Sequence, residues 1–314
     1  MKDIVLTASI PETSAQQRLD VVLAQLFPDY SRAKLQSWVK AGHVRLDGEC
    51  TQNNKQRVKG GESVCIETTL SAEVSWVAQD LPLDIVFEDE DVLVLNKAAG
   101  VVVHPAAGNP DGTLVNALLN YHTPLEHLPR AGLIHRLDKD TTGLLIVAKT
   151  LTAHTALARA IEHHEITREY YALVNAVMTA GGTINAPIAR HPKRRTHMAV
   201  VTNGKPAITH YRVAERFTAQ TLLRVHLETG RTHQIRVHLQ HKKMPIVGDQ
   251  SYGGRAHFPP QASEALRTQL SQFKRQALHA RKICFTHPSS QIPLEFERDL
   301  PPDYQALLDA LRQG

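Results

Sequence analysis

The stretch HRLDKDTTGLLIVAK at residues 135–149 constrains the fold most. Leu144, Leu145, Ile146, Val147 and Ala148 form an apolar run with the length and composition of a buried strand, bounded by Gly143 and Lys149. Directly before it, a histidine, an arginine and two aspartates crowd into six residues. A core strand thus carries a charged loop at its mouth, with the carboxylate of Asp138 set between basic neighbours.

Around this strand the pattern predicts further elements. Leu35, Trp38 and Val39 lie at i, i+3, i+4 and predict a helix capped by Ser31 and stopped at Gly42. HVRLDGEC predicts a hairpin turning at Asp47-Gly48, and Val58 to Ile66 another strand, so a compact unit closes near residue 70. Residues 68–82 read as a connection. Beyond it, Ile85–Phe87 and Val92–Leu95 predict a hairpin through the acidic turn EDED. Helices are expected over 113–121, 151–164, 232–240 and the final DYQALLDALRQ. Strands are expected over Tyr170–Val177, twice within 208–228 and twice within 283–296. No regular βαβ rhythm runs through these elements. That predicts an α+β chain with a mixed, largely antiparallel central sheet and helices packed on it. The expected domains are 1–70 (core 16–67), a linker at 71–82, and 83–314.

Charge is distributed unevenly. Residues 186–255 hold 13 Lys and Arg against 3 Asp and Glu, a net +10, whereas 81–185 hold 7 against 12. Seven more basic residues fall within 31–59. Two basic regions suggest a polyanion contacted at two places; two solvated faces are the bland alternative. No apolar run approaches a membrane span, and the opening MKDIVLTASIPET lacks the pattern of an export signal, so a cytoplasmic location away from membranes is expected. Cys50, Cys65 and Cys284 are too scattered for a disulfide framework or a zinc pattern.

Three constellations could carry chemistry. In His135-Arg136-Leu137-Asp138, nearby cations favour an ionised carboxylate, the form that serves as nucleophile or electrostatic stabiliser at a sugar C1′. A surface ion pair or a loop cap would use the same residues. In ETGRTHQIRVH (228–238), Arg236 would sit on a helix and could aim at a buried anion. His233 and His238 are five apart, with no carboxylate or cysteine to complete a ligand set, so no metal is expected. In Arg168-Glu169-Tyr170-Tyr171, an aromatic could stack on a base or simply pack at the sheet edge. The basic loop 190–197 could contact phosphates without reading bases. Neither a Walker A motif nor a dinucleotide fingerprint occurs.

HRLDKDTTGLLIVAK resembles the signature of the RluA family of pseudouridine synthases. Arg18-Leu19-Asp20, Ser31-Arg32-Ala33-Lys34 and GHVRLDG at 42–48 resemble an S4-type RNA-binding domain. IVFEDEDVLVLNK (85–97), GVVVHP (100–105), TREYYA (167–172), ETGRTHQIR (228–236), VGDQSYGG (247–254) and RQALHA (275–280) are similar to further family motifs, so the resemblance spans nearly the whole chain. Ala98 stands where the family has proline, and Leu46-Asp47-Gly48 where it has Val-Asn-Gly. The resemblance implies a pseudouridine synthase fold behind a small S4-type α/β domain. It also implies an isomerase that converts uridine to pseudouridine in RNA without cofactor or metal. Asp138 would be the catalytic aspartate, Arg236 its ion-pair partner and Tyr170 the platform under uracil. Arg136 would hold the flipped state, with Arg32 and Lys34 gripping RNA away from the site. The implied partner is 23S rRNA, at its helix 69 region, or the assembling large subunit, acted on by a monomer. A non-catalytic RNA-binding or ribosome-assembly protein on the same fold is the rival reading.

Overall fold

The computed structural model describes residues 2–28, 30, 32–70, 76–106, 108–253 and 257–313. They divide into two compact units, 1–75 and 76–314.

The first unit begins with β1 (Lys2–Ser9), followed by α1 (Leu19–Leu26), α2 (Arg32–Lys40), β2 (Val44–Leu46), β3 (Glu49–Thr51) and β4 (Ser63–Leu70). Leu35, Trp38 and Val39 are buried, as their spacing on α2 requires, and pack with Leu19, Val22 and Leu23 of α1. The cap expected at Ser31 lies outside the described residues. Asp47 and Gly48 both take positive φ (49° and 84°), the backbone of a tight hairpin turn whose twist matches the strands it joins. Two expectations need correcting. The strand placed at 58–66 begins only at Ser63, because Gly60 and Gly61 turn the chain at φ 91° and 82°. It then runs on to Leu70, because β1 pairs antiparallel with its whole length. β1 itself was not expected; it lies at the edge of the sheet, order β1-β4-β2-β3.

The second unit comprises β5 (Ile85–Glu88), β6 (Val92–Lys97), α3 (Leu114–Tyr121), β7 (Thr142–Ala148), α4 (Leu151–Glu162), β8 (Thr167–Val174), β9 (Gly182–Asn185), β10 (Ile188–Arg190), β11 (Met198–Val200), β12 (Ile208–Arg216), β13 (Thr221–Leu227), α5 (Gln234–His241), α6 (Glu264–Gln272), β14 (Leu278–Thr286), β15 (Pro293–Glu297) and α7 (Pro302–Gln313). Residues 76–82, the described part of the linker expected at 71–82, belong to it. Trp76 and Leu83 pack on its core, and the Asn116 side chain donates to the Val77 carbonyl at 2.7 Å.

The central sheet runs β5-β6-β7-β14-β8-β13-β12-β9, with β15 paired to β14. Every pairing is antiparallel except β7 with β14. All seven residues of β7 are buried, as the apolar run demands. Its parallel contact with β14 covers only His279↔Thr142 and Ala280↔Gly143. Gly143 has φ +109°, and a Cβ there would lie 2.2 Å from the Ala280 carbonyl oxygen, so only glycine permits this crossing. Past it β7 leaves β14, and the free Ile146 N–H donates instead to His135 Nε2 at 3.1 Å.

β8 starts three residues earlier than the predicted Tyr170–Val177. Helix α5 starts at Gln234, not Thr232, because His233 adopts a left-handed conformation (φ 55°). Thr232 therefore does not share a helical face with Arg236.

Candidate functional site

The charged loop is held rigidly at the mouth of β7. Leu137 is buried, and the Thr141 N–H donates to the Asp138 carbonyl at 3.1 Å. From below, the buried Lys97 ammonium donates to the carbonyls of Ala98, Val101 and Lys139, at 2.8, 3.0 and 2.8 Å. Burial pushes this lysine down to about 8, against the pull of Asp140 and Asp138. Lys97 lies inside a motif already singled out, but a lysine in an apolar strand gives no sign that it will anchor a loop 42 residues away.

Arg236, on the first turn of α5, reaches this loop. Its NH1 donates to Asp138 Oδ2 at 2.9 Å. Its other face is gripped by Asp249, Nε to Oδ2 at 2.7 Å and NH2 to Oδ1 at 2.9 Å. Asp249 is fully buried and also accepts the N–H groups of Ser251 and Tyr252. Burial opposes its ionisation, but Arg236 and these N–H donors hold it below the usual carboxylate range. Burial likewise opposes the charge on Arg236, and the two carboxylates outweigh it. The Tyr252 ring covers the guanidinium at 4.9 Å.

This arrangement leaves the two Asp138 oxygens unlike. Oδ2 is bonded to Arg236; Oδ1 accepts no hydrogen bond from any described residue. His233 Nε2 lies 3.9 Å from Oδ1, while His233 Nδ1 bonds the Tyr252 hydroxyl at 2.8 Å. Burial, ahead of the opposing Asp138 charge, pushes the His233 imidazole below its ordinary value. Tyr170 is 5% exposed on β8, its phenol pushed up first by burial and further by Asp138. The structure thus brings Asp138, Arg236 and Tyr170 together, with Arg136 exposed on the same loop. Asp249 has no role in the sequence-based expectations; its signal is a carboxylate one glycine beyond the apolar pair Ile246-Val247, where a charge that becomes buried needs a partner.

His238 lies away from His233, bonded to Thr209 and the Ala186 carbonyl. No cluster of metal-ligating side chains occurs among the described residues.

In the first unit, Arg32 does not stand free. With Arg18 and Gln36 it hydrogen-bonds the fully buried Asp20 carboxylate, Arg32 NH2 at 2.8 Å. The Lys34 side chain lies outside the described residues. Burial works against the Asp20 charge, but these donors prevail and lower its carboxyl to about 2. A folded-state pKa below the unfolded value means that Asp20 adds stability above about pH 4, lost as pH falls through about 2. Acid titration of unit 1 should show an unfolding step in that window, and Asp20→Asn should remove the dependence while lowering stability at pH 7. An unchanged acid limb in the variant would contradict this assignment.

Residues 91–241 match the RNA pseudouridylate synthase family, and residues 17–64 match the S4 domain. The chain is 52% identical over 309 residues to ribosomal large subunit pseudouridine synthase D of Salmonella typhimurium, covering 98% of this chain and 95% of that protein. It belongs to the RNA pseudouridylate synthase family. The protein of the same name from Escherichia coli (strain K12) is 51% identical over the same shares, and that of Vibrio parahaemolyticus 50%, over 99% and 96%. Among solved structures, human RNA pseudouridylate synthase domain containing 4 superposes with a TM-score of 0.58 at 26% identity, over 73% of this chain and 93% of that one. Human domain containing 1 gives 0.55 at 26%, over 76% and 97%. As a pseudouridine synthase the chain is an isomerase, built as expected from an S4 domain and an α+β catalytic domain with a mostly antiparallel sheet.

Proposed function

We propose that this pseudouridine synthase converts uridine to pseudouridine in large-subunit rRNA, at the helix 69 region of 23S rRNA, with Asp138 as its catalytic carboxylate. The observation that carries this is the asymmetry of Asp138. Arg236 fixes one oxygen, and the other is left to meet the ribose of a uridine whose base rests on Tyr170. A paired uridine leaves its helix first, at a cost of a few kcal/mol. Arg136, exposed beside Asp138, fills the space it vacates. Asp138 then acts at C1′, the N1–C1′ bond breaks, the uracil turns, and C5 bonds to C1′; C5 gives up its proton and N1 takes one up. Reactant and product are isomers, so nothing is consumed. The +10 segment, and Arg32 and Lys34 of the S4 domain, contact RNA phosphates. A monomeric cytoplasmic enzyme acting on free rRNA or the assembling large subunit fits this role.

The test is incubation of unmodified 23S rRNA fragments, or large-subunit particles, with the purified enzyme. Pseudouridine should form in the helix 69 region without added cofactor and equally in the presence of a chelator. Product elsewhere would overturn the substrate assignment; no product on any rRNA would overturn the reading; loss on chelation would show a metal at work.

A further inference from the structure

Two arginines are buried among the described residues of the second unit. Arg236 is held by two carboxylates. Arg168, on β8 and 5% exposed, has no hydrogen bond or ion pair with any described residue, and its Nε is sealed from solvent without a partner. A buried, unpaired charge destabilises a fold by several kcal/mol unless a partner arrives. Two nearby carboxylates are already engaged. Glu169 faces the other side of β8, bonded to Arg281 at 2.8 Å, and Glu228 is bonded to His210 at 2.6 Å.

The surroundings suit an anion. Arg168 shares a face of β8 with Tyr170, about 7 Å along the strand. Its NH1 lies 2.9 Å from where a Cβ on Gly230 would stand, so the glycine of the ETGRTHQIR loop leaves the guanidinium room. His135 adds a second unmet donor within electrostatic reach. Its Nε2 accepts from Ile146, so in the neutral ring the proton sits on Nδ1, which is buried and unbonded. Burial, then the Arg168 charge, push this imidazole down to about 3, which keeps the ring neutral. Donors alone, one of them charged, call for an acceptor that is negative.

We propose that Arg168 is the binding site for one backbone phosphate of the RNA, adjacent to the uridine that rests on Tyr170. The proposal rests on the active-site reading above, and adds to it a point that fixes the strand beside the base.

The test couples a variant to a substrate change. RNA is made with a single uncharged methylphosphonate either 5′ or 3′ of the target uridine. Its affinity is measured on Asp138→Asn enzyme, with Arg168 intact or changed to Met or Lys. With Arg168, one of the two methylphosphonates should weaken binding about 10–100-fold. Arg168→Met should weaken binding of unmodified RNA as much, and the two changes together should do no worse than either alone. Arg168→Lys should recover part of the loss. The melting temperature of free Arg168→Met should stay level or rise, since an unpaired buried charge is gone. Losses that multiply at both phosphates, or unimpaired binding by Arg168→Met, would overturn the proposal. So would a fall in melting temperature of many degrees, which would assign Arg168 to the fold. Because binding is read without turnover, a wild-type enzyme that modifies no uridine would sink the function and leave this coupling measurable.

Discussion

Asp138→Asn enzyme should make pseudouridine at least about 10⁴-fold more slowly than wild type, with its fold and RNA affinity nearly intact. The amide keeps the shape of the side chain, and its oxygen can still accept from Arg236 NH1. Arg236 also retains its bidentate grip on Asp249, so no buried charge is left alone. What disappears is the negative charge on the open Oδ1 side, which accepts no hydrogen bond from any described residue. Single-turnover rates on an rRNA fragment, with filter-binding affinities on the same RNA, measure both halves. A rate within tenfold of wild type would remove Asp138 from the chemistry. A parallel collapse of binding would make it part of the RNA surface instead.

Asp249→Ala should damage stability and rate together. It leaves Arg236 buried with one partner in place of two, and leaves the Ser251 and Tyr252 N–H groups without an acceptor. Breaking one side of a buried ion pair costs about 3–5 kcal/mol, and for a unit of this size each kcal/mol lowers the melting temperature by about 2–4 °C. A drop of roughly 6–20 °C is expected by calorimetry. Below that temperature, Arg236 loses its fork and Asp138 its alignment, so kcat should fall about 100-fold with KM little changed. Asp249→Asn, which keeps an acceptor oxygen, should recover part of both. Because the Asp249 carboxyl is held below its ordinary value, its contribution is present at neutral pH and is lost only in strong acid. An unaltered melting temperature in Asp249→Ala would show that Arg236 is anchored by something else.

The sheet was legible where burial is one-sided or complete. The run 144–148 could only be a core strand, and the Leu35, Trp38, Val39 spacing could only be a helix face. Lys2–Ser9 is a strand the expectations omit, although Leu6, Ala8 and Ile10 alternate with Thr7 and Ser9 and the more exposed positions alternate with the less exposed ones. Helix α6 was overlooked although Ser263 caps it and Leu266 and Leu270 lie one turn apart. At the site, residue types announced Asp138 and Arg236, but not the distance between them. Nothing local in positions 98 apart says that they meet at 2.9 Å. Arg168 and Asp249 both stand in motifs visible in the sequence, TREYYA and VGDQSYGG, yet only the fold shows that Asp249 has a charged partner and that Arg168 has none among the described residues.

The place of β14 has a consequence during synthesis. The S4 domain is one continuous N-terminal segment and can fold as soon as it has left the ribosome. The catalytic domain cannot. Asp138, Arg236 and Asp249 have all been made before Leu278, yet β7 and β8 face each other across a gap that only β14 fills. Until Thr286 has emerged, the nascent chain carries two open sheet edges, prone to pairing with other chains, and Gly143 has no Ala280 to close on. Translation order thus makes this enzyme grip RNA before it can modify it, and a message cut short before β14 should yield a binder without catalysis.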